Sequence, residues 1–489
     1  MAKLREIISK LYMRTVVALF CTIISVLAVI SIVFSSSLRE SEQTVFLMDQ
    51  PLIHVAVFLA IMILGRYFSK KTRSKKRIDQ LVVLTGIGCI VLCIIFVFVT
   101  WCKPVADQRS VLLIAKQMKE QDFSAFQKGG YVYIYPNQIG IILLYYLLSF
   151  IIGDYNYIAL QLINIAALAL SYYYLAMLST LLFVEKRLFY KTLSGCMLFL
   201  PLAFYICFVY GNLIGLALST GAVYYQCMYL KGREKKDIVL ASVMIGGAVL
   251  LKSNYLITLV AMVIVLFMDT IMKRARRSLL GIVVIVLVYL GLQIGTQTCI
   301  EAITGEKVSD GVPKLAWVAM GLQEGSRASG WYNGYNKEVY VHNDFDAHKA
   351  NEESKKAIQQ SLKEFLSNKK EGVCFFTRKV ASQWNNPTFQ SLWILRNKEG
   401  VSHGGASIVL TGFMNIYQTV VLAGTCLYLW YYRGRRQSEE LVLMLIFIGG
   451  FLFHLVWEAK AQYTITYFVL LIPYAVRGYD TILLRKIID

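Results

Sequence analysis

Charged residues are scarce in this chain of 489 residues. They make up 16% of the sequence, whereas 57% of the residues are hydrophobic. Soluble domains contain about 25% charged and about 45–50% apolar residues. The composition therefore excludes a soluble enzyme, a disordered chain or a DNA-binding domain as a description of the whole protein.

Recognisable cofactor motifs are missing as well. The 5 histidines are scattered, and the 10 cysteines lie mostly inside apolar runs without a C-x-x-C pair. Such cysteines act as small apolar side chains, and neither residue type has the spacing of a zinc site. The G-x-S-x-G, Walker and Rossmann motifs do not occur either. Nucleotide-driven and hydride-transfer chemistry are therefore poorly supported, and no metal ligand set is predicted.

Long apolar runs take up close to half of the chain, enough for about twelve spans of roughly 20 residues. The basic residues that produce the net charge of +20 cluster at the ends of these runs. Such clusters are typical of cytoplasmic loops. The densest, at 66–77, follows the second run, and basic residues also occur at 433–436 and 485–486. The sequence predicts an all-α polytopic protein of the cytoplasmic membrane, with both termini cytoplasmic.

The runs divide the chain into four parts. Residues 1–78 hold two spans, 79–299 form a transmembrane core, 300–407 form an extracytoplasmic soluble segment, and 408–489 hold three final spans. The core begins with one span and a long outer loop at 102–136. The outer loop is the first place where chemistry is expected.

Charge parity predicts the path that follows this outer loop. Spans at about 137–152 and 157–184 are joined by an inner turn at 153–156, and the segment 192–230 then crosses once as a broken helix. One feature contradicts the charge rule, because the resulting outer loop at 185–191 contains three basic residues.

The outer loop combines a carboxylate with an apolar helix. Asp107 precedes the stretch 110–121, whose apolar residues share one face, which predicts a helix lying on lipid at the membrane interface. A carboxylate in this place suits chemistry on a lipid-borne head group. The alternative is that Asp107 only caps the helix.

Cations lie at two further outer junctions. Lys252 lies between two apolar runs, and Trp457 precedes Lys460 and Tyr463 at the junction of the last two spans. A lysine charge and a tyrosine hydroxyl both suit an anionic lipid phosphate. The alternatives are a snorkelling Lys252 and an interfacial anchor formed by the later group.

The soluble segment contains two aromatic-polar motifs, Gly330–Asn333 with Trp331 and Trp384–Pro387. They predict exposed platforms that bind sugars, and the alternative is that they pack the core of a small domain. The stretch Ala347–Leu366 has apolar residues near helical spacing and predicts an amphipathic helix.

Taken in order, these motifs resemble those of the membrane-embedded GT-C glycosyltransferases, in the bacterial branch related to dolichyl-phosphate-mannose protein mannosyltransferases and aminoarabinose transferases. That family has an acidic residue in the first outer loop, then an interfacial helix, then a Tyr-Pro entry to the next span. Here the order is Asp107, Ser110–Gln121 and Tyr135-Pro136.

The resemblance covers about residues 81–479, with the two first spans as an addition. Lys252 stands in a Leu-Lys-Ser context where the family often has Thr-Lys-Gly. Glu458-Ala-Lys460, followed by Tyr463, stands where the family often has Glu-Ala-Arg. Two departures are that Gln108 replaces the second acid of an Asp-Glu pair, and that a lysine cannot bind phosphate with the two-pronged geometry of arginine.

The resemblance implies an inverting glycosyltransferase. It would move a sugar from a polyprenyl phosphate to a hydroxyl of a glycan, lipid or protein at the outer face of the membrane, and no nucleic acid partner is expected. Asp107 would be the general base. The residues implied for the donor phosphate are Lys252, Lys460, Tyr463 and Arg109. Those implied for the acceptor or sugar are Tyr135, Asn137, Trp331 and Trp384. Relatives differ in their need for a divalent metal, so a metal cofactor stays open.

Two other classes compete with the transferase. A transporter or flippase of lipid-linked glycans should show repeat symmetry and ionisable residues deep in its spans. The sequence has no clear repeat, and acidic residues are nearly absent from the middle of the runs. The other alternative is a non-catalytic membrane scaffold or a glycan polymerase. A polymerase should concentrate arginines in its outer loops, which this sequence does not.

Overall fold

The computed structural model describes residues 2–39, 42–71, 75–273, 275–396, 405–432 and 438–484. The described residues contain seven helices that are long and apolar enough to cross a membrane, or up to nine if each of two bent helix pairs is one span. Shorter apolar helices occur at Pro51–Tyr67 and Leu441–Val456. An all-α architecture with membrane-spanning helices is thereby confirmed, and the count of about twelve spans stays a prediction.

The N-terminal part is built into the main core. Its elements are α1 (Ala2–Val33), β1 (Phe34–Leu38), β2 (Thr44–Met48), α2 (Pro51–Lys71) and α3 (Lys75–Thr100). β1 and β2 pair antiparallel, with Ser36 opposite Phe46. On α1, Phe20 is fully buried and its ring meets that of Phe447 with centroids 5.6 Å apart. The predicted division at residue 78 falls inside α3.

The predicted outer loop folds into a helical layer. Its helices are α4 (Asp107–Lys119), α5 (Tyr131–Ile134) and α6 (Ile139–Ile152), with 3₁₀ turns at Ser124–Phe126 and Pro136–Gln138. The helix predicted at 110–121 is confirmed as α4. Its expected contact with lipid is wrong, because Val111, Ile114 and Met118 are buried in the same apolar cluster as Ile142 of α6. A helix of the same chain covers the apolar face.

The remaining membrane-region helices follow in chain order. They are α7 (Tyr157–Phe183), α8 (Leu188–Leu198), α9 (Leu200–Phe204), α10 (Asn212–Gly232), α11 (Lys235–Leu251), α12 (Leu256–Lys273) and α13 (Arg276–Thr304). A 3₁₀ turn at Tyr205–Cys207 extends α9. The bend between α8 and α9 is 61°, and Pro201 lies in the first turn of α9, where proline is well tolerated.

The soluble segment and the C-terminal part complete the chain. Their helices are α14 (Lys314–Gly321), α15 (Tyr335–His342), α16 (Ala347–Ser367), α17 (Lys369–Trp384), α18 (Ser391–Arg396), α19 (Gly405–Tyr431), α20 (Leu441–Val456), α21 (Ala461–Phe468) and α22 (Ile472–Leu484). The amphipathic helix predicted at 347–366 is confirmed as α16. Its N-cap is Asp346, whose side chain accepts from the backbone N–H groups of His348 and Lys349. The basic residues at 433–436 and 485–486 lie outside the described residues.

The turn at Gly153–Asn156 lies on the same side of the helix layer as Asp107, so the prediction that the two lie on opposite sides of the membrane is wrong. Lys119 at the end of α4 contacts Asp154 at 2.5 Å, and the Tyr157 hydroxyl contacts Gln108 Oε1 at 3.2 Å. The chain bends by 99° before α6, which has 14 residues. A helix of this length spans about 21 Å, less than the roughly 30 Å of the bilayer core. The bent pair that it forms with the preceding helix is either a broken span or a re-entrant loop. Hydropathy alone cannot separate such a helix, packed on α4, from a span.

The helices after this turn run opposite to the prediction. Phe183 at the end of α7 lies against Tyr428, with ring centroids 5.5 Å apart. The chain then returns through α8 and α9, because the backbone N–H of Val209 donates to Gln108 Oε1 at 3.0 Å. Lys231 at the end of α10 donates to the carbonyl of Leu181, near the end of α7. The segment 192–230 therefore runs in both directions instead of crossing once. The three basic residues of 185–191 lie at the end opposite Asp107, which removes the conflict with the charge rule.

Cysteine labelling in sealed vesicles tests this path. We expect Asp154→Cys to react with an impermeant maleimide from the same side as Asp107→Cys, and Lys186→Cys from the opposite side. All three positions are exposed. Labelling of the chain without these substitutions measures the reaction of its native cysteines and is the baseline. Labelling of Asp154→Cys and Lys186→Cys from one side would contradict the fold.

Candidate functional site

Asp107 lies at the start of α4, at one end of the helix bundle. The N-cap of the helix is Ala106, which has no polar side chain, so Asp107 is the first helical residue and not the cap. Its Oδ1 accepts a hydrogen bond from the Tyr131 hydroxyl at 3.2 Å. Ala106 has φ 49°, a left-handed conformation that costs a non-glycine residue free energy. The carboxylate is exposed and is held toward the tyrosine.

A row of side chains connects Asp107 to Lys252. The Tyr131 hydroxyl also interacts with that of buried Tyr210. Lys252 Nζ lies 4.0 Å from the centroid of the Tyr210 ring and 5.9 Å from that of Tyr463. These are cation–π distances. The acid, the lysine and the tyrosine that the sequence picked out separately therefore belong to one site.

Two glycines allow the helix end that carries Lys252 to approach its neighbours. Lys252 is the C-cap of α11. A Cβ on Gly140 would lie 2.2 Å from the Leu250 carbonyl oxygen, and one on Gly211 would lie 2.5 Å from that of Leu251. Gly211 also has φ +77°, which favours glycine. Backbone contact at both points places Lys252 beside Tyr210.

Burial controls the charge of two groups in the site. It lowers the pKa of Lys252 to about 8, although Asp107 and Glu458 oppose the change. It raises the pKa of Glu458 to about 7, against the pull of Lys460, Lys379 and Lys252. Glu458 Oε1 is buried and has no hydrogen-bond partner among the residues that the structure describes. Both groups therefore titrate within reach of neutral pH.

Lys460 is held by residues that the sequence analysis did not single out. Its Nζ lies 3.0 Å from both carboxylate oxygens of Glu42, and Arg327 Nε lies 2.9 Å from Glu42 Oε2. Glu42 lies between β1 and β2, and Arg327 belongs to the soluble segment. The Lys460–Glu42 contact joins positions 418 residues apart, so no local motif could have revealed it.

The prediction that the two aromatic-polar motifs form exposed platforms is wrong. Trp331 is 1% exposed and Trp384 is 2% exposed. Trp331 Nε1 donates to Ser382 Oγ at 2.9 Å, and the Trp384 ring packs against Phe447 with centroids 5.1 Å apart. Both side chains pack the interior, as the alternative reading had it.

Tyr332 is the residue of the first motif that reaches the site. Its ring centroid lies 5.5 Å from Arg327 Cζ and 6.0 Å from Lys460 Nζ. Its hydroxyl interacts with that of Tyr135, and the Tyr135 ring lies 5.4 Å from that of Tyr131. Tyr135 thereby links the Asp107 end of the site to the Lys460 end.

Two predicted residues lie at the margin. Arg109 is exposed, and its charge acts on Tyr155 of the turn after α6. Two positions along an α-helix correspond to a rotation of about 200°, so Arg109 lies on a different face from Asp107. Asn137 is exposed in the 3₁₀ turn that precedes α6.

Among the described residues, no group of three or more His, Cys, Asp or Glu side chains could hold a metal ion. Cys196 and Cys227 are buried thiols. No protein-family model, curated protein or solved structure matches the chain.

Proposed function

We propose that the protein is an inverting glycosyltransferase that moves a sugar from a polyprenyl phosphate to an acceptor hydroxyl at the extracytoplasmic face of the membrane. One observation carries the proposal. An exposed carboxylate, Asp107, bonded to a tyrosine, shares one site with Lys252 and Tyr463 at an end of the apolar helices. A base beside cations is what transfer from a lipid phosphate requires.

The reaction proceeds in one displacement. Asp107 accepts the proton of the acceptor hydroxyl, and the acceptor oxygen attacks the anomeric carbon. The bond from that carbon to the phosphate oxygen breaks, and the phosphate leaves with the electron pair. Tyr131, which donates to Asp107 Oδ1, orients the carboxylate so that its other oxygen faces the acceptor.

The leaving phosphate needs cations and not an acid, because it leaves as a stable anion. The positive charge comes from Lys252, whose Nζ lies 5.9 Å from the Tyr463 ring, and from Lys460, whose carbonyl accepts from the Tyr463 backbone N–H. A preorganised donor of this kind is typically worth about 10²–10³ in rate. The half-buried position of Lys252 strengthens its effect, since fewer water molecules screen the charge.

The proposal includes a path of about twelve passes through the bilayer core, with both termini cytoplasmic. In this path α8 and α9 form one pass, α21 and α22 form another, and α4 and α6 stay on the extracytoplasmic side. Asp107, Lys252 and Lys460 then all lie on that side, where the head group of a lipid-linked sugar is presented.

The competing transporter is less well supported by the buried charges. Asp269 pairs with Arg233 at 2.7 Å and with Lys273 at 3.1 Å near the end of α12. Asp480 pairs with Lys191 near the end of α22. These acids lie at helix ends, not midway along a pass, where a transporter would carry them. Transfer of labelled sugar from a polyprenyl phosphate by the purified protein is the test.

A further inference from the structure

The contacts of Glu42 resemble those of a bound phosphate. Its two oxygens meet Lys460 Nζ at 3.0 Å each, and Oε2 also meets Arg327 Nε at 2.9 Å. A phosphate oxygen makes the same charge-assisted contacts with lysine and arginine. We propose that Lys460 and Arg327 form a phosphate subsite, and that Glu42 occupies it as an internal anion which the lipid phosphate displaces.

The charges leave room for a ligand. Lys460 and Arg327 carry two positive charges against the single negative charge of Glu42. The other carboxyl near Lys460 is that of Glu458, and burial raises its pKa to about 7, so it is only partly ionised near neutral pH. The Glu42 side chain is 7% exposed and that of Lys460 is 14% exposed, so bulk salt screens this surplus only weakly. A phosphate that replaced the carboxylate would neutralise the same two cations. Lys460 also directly precedes α21, and the start of a helix favours an anion.

Displacement requires only that one side chain rotate. The β1–β2 hairpin is fixed independently, because the Thr44 backbone N–H donates to the Arg327 carbonyl at 2.9 Å and that of Ser36 to the Asn385 carbonyl at 2.8 Å. Glu42 has φ 58°, a conformation unfavourable for a non-glycine residue. The turn itself holds this conformation, because the Glu42 backbone N–H donates to the Arg39 carbonyl at 3.1 Å. The side chain can therefore leave its partners without a change in the backbone.

Tyrosine side chains connect the subsite to the proposed base, Asp107. Tyr332 lies under both cations and interacts with Tyr135, whose ring meets that of Tyr131 beside Asp107. A phosphate on Lys460 and Arg327 would therefore lie beside the same row of tyrosines as Asp107. The inference rests on the proposed function only where it identifies the anion as a lipid phosphate. The binding of a phosphate to Lys460 and Arg327 does not depend on that function.

Binding measured by calorimetry on the purified full chain in nanodiscs tests the proposal. The probes are farnesyl phosphate, farnesol and inorganic phosphate. We expect wild type to bind farnesyl phosphate, Glu42→Gln to bind it about tenfold more tightly, and Arg327→Gln about tenfold more weakly; tenfold corresponds to about 1.4 kcal/mol. Farnesol should bind equally to all three. Tighter binding of inorganic phosphate than of farnesyl phosphate would indicate a site for free phosphate instead of lipid phosphate, and would overturn the assignment.

A matched pair of controls comes from the same soluble segment. Arg378 Nη2 lies 2.8 Å from Glu371 Oε1 on the exposed surface, so Glu371→Gln and Arg378→Gln remove the same charges elsewhere and should leave binding unchanged. Glu42→Ala should also bind farnesyl phosphate more tightly than wild type. It tests whether the effect of Glu42→Gln comes from the lost carboxylate or from the new amide. Weaker or equal binding by both Glu42 variants would make Glu42 a support for Lys460 and overturn the inference. If the expected binding pattern is observed but no sugar is transferred, only the proposed function is rejected.

Discussion

Replacing Asp107 with asparagine is expected to reduce sugar transfer by about 10²–10⁴-fold, the range for loss of a general base. The amide keeps the shape of the side chain and can still accept from Tyr131, so the fold and donor binding should persist. Loss of proton acceptance is the single change. Initial rates of label transfer, compared at saturating donor, measure the effect.

Asp154→Asn is the matched control. Asp154 is a second exposed carboxylate on the same side, paired with Lys119 and 47 positions along the chain from Asp107. Its variant should transfer sugar at nearly the wild-type rate. Wild-type turnover in Asp107→Asn would remove Asp107 from the reaction, and an equal loss in both variants would point to a general electrostatic effect.

Replacing Lys252 with methionine is expected to reduce transfer by about 10²–10³-fold, because one preorganised charge at the leaving group is lost. Methionine has a similar length and is apolar, so it can still pack against the Tyr210 ring, although the cation–π contact is lost. The turnover number should fall more than the donor affinity if the charge acts mainly in the transition state. An unchanged turnover number with weaker donor affinity would assign Lys252 to ground-state binding only.

The pH profile gives a separate test of Lys252. Burial lowers its pKa to about 8, so the ammonium is present below this pH and is lost as the pH rises through it. Transfer by wild type should therefore fall on the alkaline side with a midpoint near pH 8. Lys252→Arg, whose side chain stays protonated, should keep its rate there. An alkaline fall that persists in the arginine variant would have to come from another group.

The ends of the apolar runs carried most of the information that sequence could provide about the site. Asp107, Lys252, Lys460 and Tyr463 were each identified as a polar residue at such an end, and the structure brings them into one site. Their mutual contacts could not be predicted, since these depend on Gly140 and Gly211 letting backbones meet. Glu42 and Arg327 were missed because their partner lies in a distant part of the chain.

Two errors have the same physical origin. The apolar face of α4 was expected to contact lipid, and the turn after α6 was expected on the side opposite Asp107. Instead α4 and α6 cover each other, and the turn lies beside α4. An apolar side chain is stabilised equally by lipid and by another helix, so hydropathy does not distinguish the two. Trp331 and Trp384 illustrate the same limit in the soluble segment, because a tryptophan beside amides is equally suited to a sugar and to a core.

The central claim is that this protein transfers sugar from a polyprenyl phosphate. The most direct measurement reconstitutes the purified chain in liposomes with a panel of radiolabelled polyprenyl-phosphate sugars and a membrane extract as acceptor, and follows both transfer of the label and movement of the donor between leaflets. The account predicts label on the acceptor with wild type and a loss of about 10²–10⁴-fold with Asp107→Asn. Movement of the donor across the bilayer, without label reaching any acceptor, would contradict it and identify a transporter.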